Sequence, residues 1–230
     1  MEPLANHMHP EIQALAQRLT ATAQTPCEKL ERCFFYVRDS VAFAFPANGD
    51  FVKASDTVKL GYGQCNTKAT LLLALCRAAG LTARIHFSLI SKEIQKGFFT
   101  GLAYWLLPSK LSHSWVEVCL DGQWHKIDTF INDIDLFIAA RDRVKALGWK
   151  TGYSVALKNG DASASLNLDG ETYQQMAAVT DDHGVWDDPA DYYASPRYEN
   201  RPDALRLWAY RRLIGGINRR VEDLRAGVLA

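Results

Sequence analysis

Residues 61–84 read GYGQCNTKATLLLALCRAAGLTAR and predict a helix at the centre of the fold. From residue 66 or 67 to Ala79 the stretch contains no glycine or proline, and Gly80 stands where a helix C-cap is expected. Apolar residues lie on every side of this helix, and its charged residues are Lys68 and Arg77. A helix of this kind is buried on most faces, so we expect other elements to surround it.

Cys65 lies at the start of this helix, behind Gly61 and Gly63. Gly63 allows a sharp turn, which places Cys65 at or just before the first helical turn. The unpaired N–H groups and the positive dipole end of a helix favour a thiolate at that place. A buried cysteine is also an ordinary core residue, so its position alone does not choose between a nucleophile and packing.

The hairpin HSWVEVCLDGQWHKIDTF, residues 113–130, supplies the second signal. Two alternating runs are joined by Asp121 and Gly122, the preferred residues of a tight type I′ turn. Counting outward from that turn, one face of the ribbon carries His113, Trp115, Glu117, Lys126 and Asp128. His113 and Asp128 are diagonal neighbours, about 5.5–8 Å apart at the backbone, which allows an imidazole–carboxylate hydrogen bond.

Cys65, His113 and Asp128 are therefore the candidate catalytic residues. His113 would lower the pKa of the Cys65 thiol and accept its proton, and Asp128 would fix the tautomer of His113. The backbone N–H of Cys65 is the expected oxyanion donor, with Tyr62 or Gln64 as the candidate second donor. This chemistry requires no cofactor and no metal ion.

These motifs resemble the core of the transglutaminase-like superfamily of papain-like cysteine enzymes. The shared pattern is Gly-x-Cys opening a helix, Ala-Gly-x-x-Ala-Arg after it, His-x-Trp-x-Glu on a strand and Trp-x-x-x-Asp on the next strand. The resemblance covers roughly residues 28–130 and implies that Cys65 is the nucleophile, His113 the base and Asp128 the orienting acid. The chain is similar to a short, bacterial-type member with a single domain.

Two branches of related enzymes are not implied by the resemblance. The YGQC sequence is similar to the animal transglutaminase motif, but Asn66 stands where that motif has tryptophan. The chain is also too short for the extra β-domains and calcium sites of those enzymes. The Arg-Gly-Gly-x-Cys signature of arylamine N-acetyltransferases is absent. The resemblance therefore implies acyl chemistry at a cysteine without choosing a substrate.

The order of the predicted elements indicates an α+β fold. Two helices open the chain, and the second begins at Thr25, with an apolar stripe that includes Cys27. We expect a papain-like core in which the buried catalytic helix packs on an antiparallel sheet. Residues 1–230 are predicted to form a single transglutaminase-like domain, with its catalytic core at about 26–130 and a C-terminal elaboration at about 131–230.

The C-terminal elaboration is predicted to contain extra helices. A helix over 136–147 follows Asp135, a short strand covers 153–157, and a last helix begins near Pro202. Between them, residues 181–193 are expected to form an acidic loop. The carboxylates around the histidine of that loop could suggest a metal site, but their spacing fits no ligand template.

The last helix is basic and amphipathic. Its apolar stripe consists of Leu207, Tyr210, Ile214, Ile217, Val221 and Leu224. The stripe fits either docking on the helix's own domain or a homodimer, so we expect a monomer or a homodimer through this helix. Its arginines alone are a weak reason to expect binding to nucleic acid or to an anionic membrane.

Composition narrows the protein class further. Lys and Arg total 26, as do Asp and Glu, so no net charge favours nucleic acid or a membrane surface. The N-terminus has no basic segment followed by an apolar run, and no stretch approaches the length of a membrane span. The five cysteines are odd in number and form no CxxC pair, which favours a reducing, cytoplasmic location.

The predicted function is acyl chemistry at Cys65 on an amide, peptide or thioester carbonyl, through an acyl-enzyme thioester. Hydrolysis of a peptidase or amidase type is preferred, because nothing in the sequence specifies an amine acceptor. The alternatives are acyl transfer or transamidation to an amine on a small metabolite, and a non-enzymatic binding module that retains the fold. The expected partner is a small-molecule or peptide amide substrate.

Overall fold

The computed structural model of the protein describes residues 2–170 and 173–228. Residues 1 and 229–230, the ends of the predicted domain, lie outside the described residues, as do residues 171–172. The described α-helices are α1 (Pro10–Thr20), α2 (Pro26–Phe35), α3 (Ala54–Leu60), α4 (Cys65–Ala78), α5 (Gly101–Trp105), α6 (Ile134–Ala146), α7 (Pro189–Ala194) and α8 (Ala204–Arg225). The described strands are β1 (Ala42–Phe43), β2 (Tyr62–Gly63), β3 (Thr82–Ser91), β4 (Lys110–Leu120), β5 (Gln123–Ile127), β6 (Thr151–Gly152), β7 (Val155–Ala156) and β8 (Val179–Trp186).

An antiparallel sheet with the strand order β5–β4–β3–β8 forms one layer of the molecule. β4 and β5 are the predicted hairpin, and Asp121 (φ 50°) and Gly122 (φ 81°) have the left-handed conformations that a type I′ turn requires. The pairing begins with Leu120 opposite Gln123, so the predicted register is confirmed. The predicted α+β class is confirmed as well.

Helix α4 lies at the centre of the fold, as its apolar surface predicts. It packs against β3 and β4 and, elsewhere on its surface, against α1, α2 and α3. Every residue from Cys65 to Cys76 is buried, including Lys68. The Lys68 ammonium donates to the backbone oxygens of Val41 (2.6 Å) and Arg38 (3.4 Å). Burial lowers the pKa of Lys68 to about 7. The two carbonyl oxygens offset the cost of burying the amine by accepting its hydrogen bonds.

Gly63 is required next to the start of α4, though not for the reason that the sequence suggests. The left-handed conformation lies at Gly61 (φ 70°), where α3 ends. A Cβ atom added at Gly63 would instead lie 2.5 Å from Oγ1 of Thr67. That hydroxyl oxygen accepts a hydrogen bond from the backbone N–H of Gln64 at 2.9 Å. Gly63 therefore permits the close approach that caps α4 immediately before the cysteine.

The buried face of α2 corrects one prediction about cysteine. Thr25 caps the helix as expected, since its hydroxyl accepts from the backbone N–H of Glu28 at 3.1 Å. The predicted core residue Cys27 is partly exposed, whereas Cys33 is fully buried. The face of α2 that packs inward runs through Leu30, Cys33 and Phe34, so Cys27 alone falls outside the buried part of the predicted stripe.

Two predicted elements after the hairpin have different boundaries. The N-cap of α6 is Asp133 rather than Asp135, and its carboxylate accepts from the backbone N–H of Leu136 at 3.2 Å. The strand predicted at 153–157 is the small hairpin β6–β7. Its turn places Tyr153 (φ 48°) and Ser154 (φ 66°) in the left-handed region. Such conformations are uncommon for these residue types, which explains why the pattern missed the turn.

The stretch 181–193, predicted as an acidic loop, forms most of β8 and α7. β8 is an edge strand that pairs with β3, and charged side chains are typical of such edges. Within 2–170 and 173–228, no cluster of three or more His, Cys, Asp or Glu side chains could hold a metal ion. The same ranges contain no helix with the length and apolar character needed to cross a bilayer.

Helix α8 docks on its own domain through the second half of its apolar stripe. The buried residues are Ile214, Ile217, Val221 and Leu224. The Asn218 amide bonds both the N–H (2.8 Å) and the carbonyl oxygen (3.0 Å) of Phe45. Docking on the domain was one of the two interpretations of this helix, and a homodimer stays a prediction.

Candidate active site

Cys65 is the first residue of α4, and the residue is 7% exposed. The side chain of the N-cap residue Gln64 folds over it. The thiol donates to Gln64 Oε1 at 3.0 Å, and the same oxygen accepts from the backbone N–H of Asn66 at 3.3 Å. The sulfur therefore occupies the predicted place at the helix N-terminus, but as a protonated donor to a neighbouring amide.

Several groups act on the pKa of Cys65 in opposite directions. Burial is the largest cause, and the negative charge of Asp50 is the second; both raise the pKa of the thiol above its ordinary value. The backbone N–H groups of Asn66 and Cys65 lower it, as expected at a helix N-terminus. Burial outweighs them, so the thiol is protonated in this arrangement.

His113 lies on β4, opposite Ser88 of β3, and is fully buried. Neither ring nitrogen has a hydrogen-bond partner within the described residues. Burial lowers the pKa of His113 to about 3, so the imidazole is neutral. On the same strand, the Ser114 hydroxyl donates to Asn66 Oδ1 at 2.9 Å, which places Ser114 on the face of β4 towards α4. Strand alternation puts His113 on the opposite face.

Asp128 follows β5 directly and is also fully buried. Its carboxylate accepts from three consecutive backbone N–H groups, those of Gln174 (3.1 Å), Gln175 (2.8 Å) and Met176 (2.8 Å). Burial raises the pKa of Asp128 to about 6, although these three donors act to lower it. The carboxylate is therefore held by the segment that precedes β8.

The structure brings the three predicted residues into the interior without joining them. Across residues 2–170 and 173–228, no hydrogen bond links Cys65 to His113 or His113 to Asp128. Pairing of β4 with β5 ends at Val116 opposite Ile127, so the diagonal relation predicted for His113 and Asp128 lies beyond the paired residues. The triad therefore remains a prediction.

The two oxyanion candidates have different surroundings. Tyr62 is partly exposed on β2, where it lies opposite Ala42. Gln64 is buried, and its Nε2 group donates to the carboxylate of Asp50. The Gln64 side chain therefore presents its oxygen, not its N–H group, to Cys65.

Asp50, Asn66 and Tyr198 are site residues that the sequence did not reveal. Asp50 accepts hydrogen bonds from Asn66 Nδ2 (3.0 Å) and from the Tyr198 hydroxyl (2.9 Å), in addition to Gln64 Nε2. Asp50 lies in the connection between β1 and α3, and Tyr198 is 148 residues further along the chain. No local pattern could indicate this meeting.

The model for the transglutaminase-like superfamily matches residues 13–129, slightly more than half of the chain. The chain belongs to the transglutaminase-like superfamily. The matched range contains α4, β4 and the position of Asp128, which are the elements of the predicted site. No protein with a curated description matches the chain in sequence.

Two solved structures are similar to this transglutaminase-like chain. A candidate cysteine protease from Cytophaga hutchinsonii has 20% identity and a TM-score of 0.43 over 55% of this chain and 38% of that one. A candidate protease from Parabacteroides distasonis ATCC 8503 has 17% identity and a TM-score of 0.41 over 61% of this chain and 26% of that one. The transglutaminase-like chain thus spans well under half the length of each.

The burial of His113 predicts how the stability of this transglutaminase-like protein depends on pH. The pKa of His113 is about 3 in the folded state against 6.5 ordinarily, so between these values only the unfolded state binds the proton. The free energy of unfolding should therefore fall as the pH drops from 6.5 towards 3. Asp128, with a raised pKa of about 6, opposes this trend by binding a proton in the folded state.

A comparison with His113→Gln isolates the histidine contribution. Urea unfolding across this pH range should show a shallower acid loss in His113→Gln than in the wild type. His125→Gln is the matched control, because that ring is only partly buried. Equal slopes for His113→Gln and the wild type would contradict a neutral, desolvated His113.

Proposed function

We propose that the protein hydrolyses amide or peptide bonds with Cys65 as nucleophile, His113 as base and Asp128 as the group that orients His113. The observation that carries the proposal is the position of Cys65 as the first residue of α4. There the backbone N–H groups of Cys65 and Asn66 favour the thiolate. Membership of the superfamily supports cysteine-based catalysis in general.

The proposed reaction has two stages. His113 accepts the proton of Cys65, and the sulfur attacks the substrate carbonyl carbon. The carbonyl oxygen becomes negatively charged and accepts a hydrogen bond from the backbone N–H of Cys65. The C–N bond then breaks as His113 gives its proton to the leaving amine. Water, deprotonated by His113, attacks the acyl thioester, releases the carboxylic acid and restores the thiol.

This reaction requires an arrangement different from the one described, in which the His113 ring, here on the face of β4 away from α4, lies within hydrogen-bond reach of Cys65. Burial lowers the pKa of His113 to about 3 and raises that of Cys65, so proton transfer between them is unfavourable here. Water admitted to both groups would remove the desolvation and move the two pKa values towards each other. Substrate access and activation of the nucleophile therefore depend on the same conformational change.

Hydrolysis is proposed ahead of acyl transfer because no residue specifies an amine acceptor. A catalytic role is proposed ahead of a binding module because a degenerate member is expected to have lost a triad residue, and all three are present. The five free cysteines suit a reducing compartment, so we also propose a cytoplasmic location. A monomer is the simpler assembly, since the buried stripe of α8 is used within the domain.

Trapping the acyl-enzyme tests this proposal. The wild-type protein is incubated with a panel of peptide amides and peptide thioesters, with and without glycine amide, and is then quenched in acid. Mass spectrometry should show an acyl group on Cys65 and the free carboxylic acid as the main product. A dominant glycine amide adduct would favour transamidation. Failure of the thioesters to acylate Cys65 would contradict both reactions.

A further inference from the structure

Asp50 lies between the two side-chain amides that flank Cys65. One carboxylate oxygen accepts from Gln64 Nε2 and from Asn66 Nδ2 (3.0 Å), and the other accepts from the Tyr198 hydroxyl (2.9 Å). An ionised carboxylate can only accept hydrogen bonds, and it has room for these three donors. The arrangement therefore fits the charged form of Asp50, although burial raises the pKa of that carboxyl.

The carboxylate fixes the direction of the Gln64 amide and contributes to that of Asn66, whose Nδ2 group also donates to the backbone oxygen of Ser112 at 3.2 Å. A side-chain amide has one carbonyl oxygen and one NH₂ group, so an amide whose NH₂ is held by Asp50 must point its oxygen elsewhere. Gln64 Oε1 accepts from the thiol of Cys65 at 3.0 Å, and Asn66 Oδ1 lies 3.8 Å from the same sulfur. Cys65 therefore faces two carbonyl oxygens, which stabilise a thiol and disfavour a thiolate.

A segment close to the start of α8 holds Tyr198 against Asp50. The Tyr198 ring packs on Tyr193 (ring centroids 4.8 Å apart) and on Phe51 (5.9 Å). Two residues later, the Asn200 side chain bonds to the backbone of β4. Its Oδ1 accepts from the N–H of Ser112, and its Nδ2 donates to the carbonyl oxygen of Lys110. The segment is thus fastened to the part of β4 that β5 leaves unpaired.

We propose that Asp50 is a positioning residue that sets the direction of the Gln64 amide beside Cys65 and keeps the thiol as a donor to Gln64 until Tyr198 moves away. Once Asp50 is released, the Gln64 amide is free to turn its Nε2 group towards the sulfur and the acyl oxygen. It would then serve as the second oxyanion donor of the reaction. This inference rests on the proposed role of Cys65 as the nucleophile.

The test is the pH dependence of Cys65 alkylation by iodoacetamide, with the site assigned by mass spectrometry. Asp50→Asn removes the negative charge and weakens the hold on the Nε2 group of Gln64, so the Gln64 oxygen is no longer forced towards Cys65. Its Cys65 pKa should fall by about one unit or more, so that alkylation at pH 7 is at least about tenfold faster. Tyr198→Phe removes one of the bonds that hold Asp50 in place but leaves its charge, so it should change the rate in the same direction by less.

Two matched variants control for general effects. Tyr210 donates to the backbone oxygen of Pro46 at 3.0 Å, in the same loop as Asp50, so Tyr210→Phe removes a similar bond without touching Asp50. Asp56→Asn removes an exposed carboxylate from α3. Both should stay within about twofold of the wild-type rate, because Tyr210→Phe leaves Asp50 and its partners in place and the charge of Asp56 is screened by solvent. A gain in either control equal to that of Asp50→Asn would overturn the proposal.

A double variant separates amide direction from simple charge. If Asp50 acts through Gln64, then adding Asp50→Asn to Gln64→Ala should give a clearly smaller gain than adding it to the wild type. The full gain in that background would overturn the proposed role of the amide. An unchanged pH profile of Cys65 alkylation in Asp50→Asn alone would also overturn the proposal. A gain in alkylation rate shared by the buried thiols of Cys33 and Cys76 would report unfolding and would overturn it as well.

The alkylation assay uses no substrate, so it is independent of the acyl-trapping experiment. If Asp50→Asn shifts the pH profile of alkylation but no substrate acylates Cys65, the result would count against the proposed hydrolysis and would support the role of Asp50. Acylation of Cys65 with an unshifted profile in Asp50→Asn would count against Asp50 alone.

Discussion

Cys65→Ala is expected to lower kcat for amide hydrolysis by about 10⁴-fold or more, because it removes the atom that forms the acyl intermediate. The measurement is steady-state hydrolysis of the best substrate found by acyl trapping. Stability should change by only about 1 kcal/mol, since the lost group is small and its hydrogen bond to Gln64 Oε1 contributes little net free energy. Loss of activity with a preserved fold would identify Cys65 as a chemical participant.

Cys76→Ala is the matched control for that variant. Cys76 is fully buried on the same helix, and a hydrogen bond to Cys33 together with burial raises the pKa of its thiol well above the ordinary value. It has no role in the proposed reaction, so Cys76→Ala should keep kcat within about threefold while costing about 1–2 kcal/mol in stability. Hydrolysis by Cys65→Ala at a rate near that of the wild type would contradict the role of Cys65 as the nucleophile.

Asp133→Ala is expected to have the largest effect on stability, a loss of about 3–5 kcal/mol, because Arg225 loses its buried carboxylate and keeps a pair with the exposed Glu222, and two backbone N–H groups lose their acceptor. Asp133 accepts from Arg225 Nε (2.9 Å) and Nη2 (2.8 Å), from the backbone N–H of Phe43 (2.9 Å) and from that of Leu136 (3.2 Å). The pair is mostly shielded from water, with side chains 12% and 15% exposed. One carboxylate thus joins β1, α6 and α8.

Urea unfolding at pH 7 measures this loss, and Asp142→Ala provides the comparison. Asp142 also belongs to α6 and pairs with Arg141 at 3.0 Å, but its side chain is 59% exposed. Solvent screens such a pair, so its removal should cost no more than about 1 kcal/mol. Similar losses in the two variants would show that burial of the Asp133 pair contributes little.

The parts of the fold that the sequence predicted well are governed by neighbours along the chain. Asp121 and Gly122 define a turn, and the turn sets the register of β4 and β5 without help from any other element. The apolar surface of α4 likewise requires burial on most sides wherever its partners lie. The superfamily motifs mark these same two elements, so the family and the core can both be recognised from the sequence.

Local patterns failed where conformation depends on packing. Tyr153 and Ser154 adopt left-handed conformations that neither residue favours, and the surrounding fold compensates that strain. β8 looked like a loop because charged residues line it, yet it pairs with β3 as an edge strand. In each case the stabilising contacts come from residues distant in sequence.

The candidate site divides in the same way. Cys65 at a helix N-terminus follows from residues 61–84 alone, because helix initiation and the direction of the backbone N–H groups are local properties. The state of that thiol is not local: burial by the whole domain and the charge of Asp50 raise its pKa. Only the tertiary structure brings Asp50 and Tyr198 to it, because contacts across 148 residues are selected by packing and electrostatics rather than by chain geometry.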